Sequence, residues 1–170
     1  MTPASARADL QKEKIDMKPK GQTGAKAATS LSLASMAVLL GEWTMESPQF
    51  PEFRGRATFE WIEAGAYLAV RDEVEKGEFP SGTWIIGGDD SMQDCTSLYH
   101  DSRGVRRVYQ TNLVDKSWQI WRNAPEFNQR FIGKLVDAGT TITAQWERSR
   151  DGSEWTKDFD LIYRKILSRS

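Results

Sequence analysis

The sequence predicts an all-β chain: about ten antiparallel strands in up-and-down order, closed into a barrel, behind a short helix and a disordered N-terminal tail. Three observations predict it. All 18 aromatic residues, seven Trp, four Tyr and seven Phe, fall between Trp43 and Tyr163. From Gly41 onward, short aromatic and β-branched runs alternate with polar residues at period two, the signature of half-buried strands. Asp- and Gly-containing turns separate these runs, and no stretch of helical periodicity intervenes. Ten sequential strands in a flat sheet would leave two unpaired edges; closure removes both.

Composition excludes several functions. At 170 residues and 19.3 kDa the chain is long enough for one full hydrophobic core. Lys plus Arg number 23 against 24 Asp plus Glu, so the net charge of −1 offers no electrostatic footprint for a nucleic-acid backbone. One Cys, Cys95, forms no intramolecular disulfide, and with one His the chain lacks the ligand set of a common structural zinc site. A reducing, cytoplasmic compartment fits this cysteine usage, and no cofactor or metal is expected.

In chain order, residues 1–28 are rich in Ala, Lys, Gln, Thr and Gly, with too little bulky apolar surface to offset chain ordering, and are expected to be disordered. Lys12, Lys14, Lys18, Lys20 and Lys26 ahead of Ser30–Leu40 suggest a secretory signal. Asp9, Glu13 and Asp16 dilute that pattern, and no small-x-small cleavage site follows Leu40. Leu33, Met36, Ala37 and Leu40 instead share one helical face, which predicts a short amphipathic helix over 31–40. The longest unbroken apolar run there, Met36 to Leu40, is far short of the ~20 residues of a membrane span. The barrel domain is expected over 29–170, with strands near 41–47, 54–62, 66–75, 82–88, 95–100, 104–114, 117–123, 127–136, 140–149 and 154–165. Ala64-Gly65, Asp101-Ser-Arg-Gly104, Asp115-Lys116, Asp137-Ala-Gly139 and Asp151-Gly152 carry the chemistry of the connecting turns.

The segment Leu39-Leu-Gly41-Glu-Trp43, a short helix running into Gly-x-Trp at the first strand, resembles the opening of lipocalins and related calycin barrels. That resemblance implies that Trp43 closes the barrel base and that a basic residue near the end of the last strand packs over it. Arg164 occupies the matching place, and a cation–π contact is the physical content. A closer likeness is to a mostly bacterial lipocalin-like family designated DUF1579, a domain of unknown function. It covers residues 39–165 and is carried by Phe59-Glu-Trp-Ile-Glu-Ala-Gly65, Ile86-Gly-Gly-Asp89, Tyr99-His-Asp-Ser-Arg-Gly104, Gln129-Arg-Phe131, Trp146-Glu-Arg-Ser149 and Asp158-Phe-Asp160. The chain is also similar, more distantly, to the nitrobindins, ten-stranded haem carriers with a like Gly-x-Trp. Their haem-holding His comes late in the chain, and no His follows His100 here.

Among residues that carry chemistry, His100 stands at a strand end, where barrels present side chains to a cavity mouth. A Ser102–His100–Asp101 triad is not expected, since strand neighbours point to opposite faces; Asp101 and Ser102 read as turn formers. Asp89, Asp90 and Asp94 read as a solvated loop, lacking the Gly and terminal Glu of a calcium loop. Cys95, with no basic neighbour, reads as a buried thiol. Trp61, Trp84, Tyr99, Tyr109, Trp121, Trp146 and Arg130 are the candidate cavity wall. Indole and phenol groups offer apolar area with a polar handle, and arginine fixes an anionic or carbonyl group. Arg71, Arg103 and Arg107 read equally well as surface ion-pair partners. Alternation alone leaves open whether Arg107-Tyr109-Thr111 or its complement faces inward, and likewise Phe127-Gln129-Phe131 against Asn128-Arg130-Ile132.

The leading expectation is a barrel that binds a small hydrophobic or amphipathic molecule, oriented by Arg130, Tyr109 or His100; a homodimer is compatible with it. The alternatives are an isomerase, cyclase or hydrolase that moves a proton with His100 or Asp101 in the same cavity, and an interaction scaffold tethered by the tail. Fold resemblance does not decide among them.

Overall fold

The computed structural model describes residues 31–75, 79–89 and 92–167; the expected disordered tail and Asp90 lie outside the described residues. A short helix α1 (Leu31–Ser35) tightens into a 3₁₀ turn at Met36–Leu39, followed by β1 (Gly41–Ser47), β2 (Phe50–Ile62), β3 (Tyr67–Val74), β4 (Gly82–Gly88) and β5 (Cys95–Asp101). The second half holds β6 (Arg106–Val114), β7 (Ser117–Arg122), β8 (Asn128–Val136), β9 (Thr141–Ser149) and β10 (Thr156–Lys165). Each strand pairs antiparallel with its sequence neighbours, and β10 closes on β1 with Trp43 opposite Lys165. The predicted all-β, ten-stranded closed barrel is therefore the observed one.

Turn chemistry explains the tight connections. Asp115 and Lys116 both take positive φ, 49° and 64°, the two left-handed positions of a type I′ hairpin. Gly41, where the chain leaves the helix for β1, sits at φ 110°, a conformation that an L side chain rarely adopts. This is the physical content of the glycine in Gly41-Glu-Trp43.

The helical segment differs from expectation in its buried face. Leu33, Met36 and Leu39 are buried, whereas Ala37 is exposed and Leu40 half-buried. A 3₁₀ turn has three residues per turn, so positions i and i+3 eclipse and the face runs 33-36-39. This plug closes one end of the barrel. Trp43 is wholly buried beneath it and donates its indole Nε1–H to the Leu39 carbonyl at 2.7 Å.

The basic residue over Trp43 is Lys165, not Arg164. Lys165 Nζ lies 5.1 Å from the Trp43 ring centroid and donates to the Val38 carbonyl, while Arg164 points outward to Glu46. The two residues are adjacent cations on a strand, and the pleat sends one to each face. Around Trp43 an edge-to-face aromatic layer fills the barrel: Trp43–Phe59, Phe59–Trp118, Trp118–Phe131 and Trp118–Tyr163, with centroids 4.9–6.4 Å apart.

Candidate functional site

Above that aromatic layer the barrel is hollow. A cavity of about 780 Å³ opens at the end away from the helix, within the ~300–1,000 Å³ of small-molecule sites. Its floor is Trp118, Phe131 and Tyr163, and its walls include Trp84 on β4, Tyr99 on β5, Tyr109 on β6 and Trp146 on β9. These four rings form one network: Trp84 lies 4.3 Å from Tyr99, 5.2 Å from Tyr109 and 6.5 Å from Trp146, the last with planes 23° apart. At the rim, Phe79 packs edge-on against Phe50, Phe53 and Phe159.

Three polar groupings interrupt this apolar surface. The first is Asp72 on β3, opposite Ala57 and Gly82 on the neighbouring strands, so that no large side chain flanks it. It accepts a hydrogen bond from the Trp84 indole at 2.9 Å. Burial raises its carboxyl to about 6, which the indole bond partly opposes. Burial raises the Tyr163 hydroxyl well above its ordinary value, and the nearby Asp72 charge adds to this.

The second grouping is Asp101 with Tyr99 and Arg103. The Asp101 side chain is wholly buried and accepts from the Tyr99 hydroxyl at 3.0 Å, from Arg103 Nη2 at 2.7 Å, and from the backbone N–H of Arg103 and Val105. Burial pushes its carboxyl up, but these donors outweigh burial and hold it at about 2. Tyr99 is driven upward by burial and by its bond to that carboxylate. Asp101 is thus the hub that organises the β5–β6 turn, in line with its reading as a turn former.

The third grouping lies across the barrel from Asp72, on β6, β7 and β8. Arg107 Nη1 donates to Gln129 Oε1 at 3.0 Å, and the Tyr109 hydroxyl donates to the same oxygen at 2.7 Å. Arg107 lies over Phe127, its guanidinium carbon 4.4 Å from the ring centroid. Arg122, on the inward row of β7, is placed 5.9 Å over the Tyr109 ring. Burial raises the Tyr109 hydroxyl, and the arginines oppose it.

Of the residues expected to line a cavity, Trp84, Tyr99, Tyr109 and Trp146 do so. The other four lie elsewhere. Trp61 is half-buried at the helix-capped end of β2, packed against the core rather than the cavity. His100 is exposed on the outer face, between the inward Tyr99 and Asp101. Trp121 and Arg130 also face outward, in a shallow external groove; Arg130 pairs with Glu147 and stacks over Trp155, 4.2 Å from its centroid. The reason is again the pleat, which assigns neighbours to opposite faces. Cys95 is buried, as expected.

The sequence gives no separate signal for Asp72, Arg122, Phe50, Phe53, Phe79 and Phe159 as site residues, and it leaves open whether the rows holding Arg107 and Phe127-Gln129 face inward; the structure turns both rows into the cavity. For β8 a signal existed: Arg130 and Lys134 share a face, and two cations in phase mark the solvent side, which turns Gln129 and Phe131 inward.

Fold and site together define a closed ten-stranded antiparallel barrel with a polar-studded aromatic cavity open at one end. The fold is similar to that of the crystal structure of Rv2717c from M. tuberculosis, matched at a TM-score of 0.58 and 10% identity over 82% of this chain and 99% of that one. The likeness concerns the fold. No family model matches the chain, and no curated protein does. Among the described residues no helix is long and apolar enough to cross a membrane.

Proposed function

We propose that the barrel binds a small hydrophobic or amphipathic molecule in its internal cavity. The carrying observation is the 780 Å³ hollow itself, lined by Trp84, Tyr99, Tyr109 and Trp146 where a packed barrel would have interdigitated side chains. Among the proton carriers weighed for an enzymatic role, His100 faces solvent and Asp101 is fully engaged by its donors, so simple binding accounts for more of the geometry.

The test is a tryptophan-fluorescence titration with a panel of aromatic and aliphatic amphiphiles. Saturable one-site quenching is expected, because Trp84 and Trp146 stand in the wall, and substituting Trp84→Phe should remove much of the amplitude. Absence of saturable quenching across the panel would overturn the reading.

A further inference from the structure

The cavity wall is electrostatically one-sided. Arg71, Arg103, Arg130, Arg148 and Arg164 each pair with a carboxylate. Of the described arginines without a carboxylate within ion-pair distance, Arg54, Arg56, Arg106 and Arg150 are exposed, and Arg107 and Arg122 are not. Both are half-buried on inward rows beside Tyr109: Arg107 lines the cavity, and Arg122, on the next strand, lies 5.9 Å over the Tyr109 ring. Arg122 Nε is buried and has no hydrogen-bond partner among the described residues. A guanidinium cannot shed its charge by deprotonation, and a buried donor without an acceptor is costly. One guanidinium with an unpartnered buried Nε beside a second that meets only neutral acceptors, on adjacent strands, makes a site for a negative charge that the chain itself does not provide. Planar arginine donors match carboxylate, sulfonate and phosphate oxygens alike.

We propose that the ligand of this cavity is an amphipathic anion, its acidic headgroup held by Arg107 and Arg122 and its apolar body lying against Trp84, Trp146 and Phe131. This rests on the reading of the cavity as a binding site and adds the chemical class of the ligand. Gln129 serves as a positioning residue: its Oε1 takes one hydrogen bond from Arg107 and one from Tyr109, leaving the rest of the Arg107 fork for the ligand. The acids of the cavity do not cancel this charge. Asp72 stands on β3, three strands from Arg107 on β6 and four from Arg122 on β7; Asp158, on β10, lies 3.9 Å from Arg148; Glu52 is exposed at the rim.

The experiment compares two fluorescent probes with one skeleton, 1-anilinonaphthalene-8-sulfonate and N-phenyl-1-naphthylamine, which lacks the sulfonate. Both are titrated into the full chain, into Arg107→Gln/Arg122→Gln and into the control Arg164→Gln, which alters an outward arginine. The sulfonate is expected to bind the unsubstituted chain and the control at least about tenfold more tightly than the neutral probe, as charge-assisted hydrogen bonds imply. The double variant should lose that preference while keeping its affinity for the neutral probe within about twofold, a built-in check that its cavity is intact. Should the double variant fail to fold, Arg122→Gln alone carries the test, with a smaller loss in the same direction. Equal binding of the two probes, or a preference that survives removal of the arginines, overturns the anion inference and leaves the cavity reading standing. Failure of both probes to bind the unsubstituted chain overturns the two together.

Discussion

The two ends of the barrel are built from the same alternating strands and do different things with them. At the helix-capped end the inward rows meet in a contact network of Trp43, Phe59, Trp118 and Phe131, sealed by Leu33, Met36 and Leu39. At the open end the inward rows stop short of one another, and charged groups stand among the rings. The difference shows most clearly in two aspartates of the open half. Asp101 is surrounded by donors and held ionised; Asp72 has a single indole donor and is pushed toward the neutral form. One stabilises a turn, and the other is a strained group in a cavity wall. Close packing at the first end supports the fold, and its incompleteness at the second leaves room for a ligand.

Breaking the sealed end should have the largest effect. Trp43→Ala removes a fully buried indole, its bond to the Leu39 carbonyl and the platform for Lys165. A loss of about 3–5 kcal/mol is expected from the denaturant midpoint.

Next comes Asp101→Asn, which leaves Arg103 without its partner and weakens five hydrogen bonds. A cost of about 2 kcal/mol at neutral pH is expected. Because the folded-state value lies below the unfolded one, this contribution is present above about pH 4 and is lost as pH falls toward 2. Unfolding curves of the variant and the parent should therefore converge in acid.

Asp72→Asn should act with the opposite sign. Its folded-state value is raised from 3.8 to about 6, so the native state binds more protons between those values and stability falls as pH rises through them. Removing the charge should stabilise the protein above pH 6, by at most about 3 kcal/mol, with little change below pH 4. The groups around it that bear on this are the Trp84 indole, which does not titrate, and the Tyr99 and Tyr163 hydroxyls, which stay protonated throughout that range. A variant that is less stable at pH 8 would contradict this account of the open end.

The smallest effects are expected outside the barrel. His100→Ala and Trp121→Phe alter outward side chains and should leave probe affinity within about twofold and stability within about 1 kcal/mol. Large losses of binding there would move the site to the outer face.

Much of the fold was legible in the sequence because strands and turns are local signals. The period-two runs and the Asp/Gly turns place every strand within a few residues, and Gly82–Gly88 falls at the expected bounds. The site was legible in kind and only half in detail, because phase is a one-residue matter. Arg106 and Arg107 are adjacent, as are Arg164 and Lys165, so composition cannot say which cation faces inward. Asp72 sits between Arg71 and Glu73 in a charged run that reads as solvent-facing, yet the pleat exposes its neighbours and turns it into the cavity. The helix face shifted for a related reason: the 3₁₀ turn changes the period from 3.6 to three.

The central claim, that the open end is a binding cavity, is tested most directly by native mass spectrometry of the chain as isolated and after addition of 1-anilinonaphthalene-8-sulfonate. The account expects a single adduct per chain that saturates at one equivalent, with a retained small molecule in the untreated sample as its strongest form. A clean chain mass that acquires no adduct, or a statistical ladder of several weak ones, would contradict it.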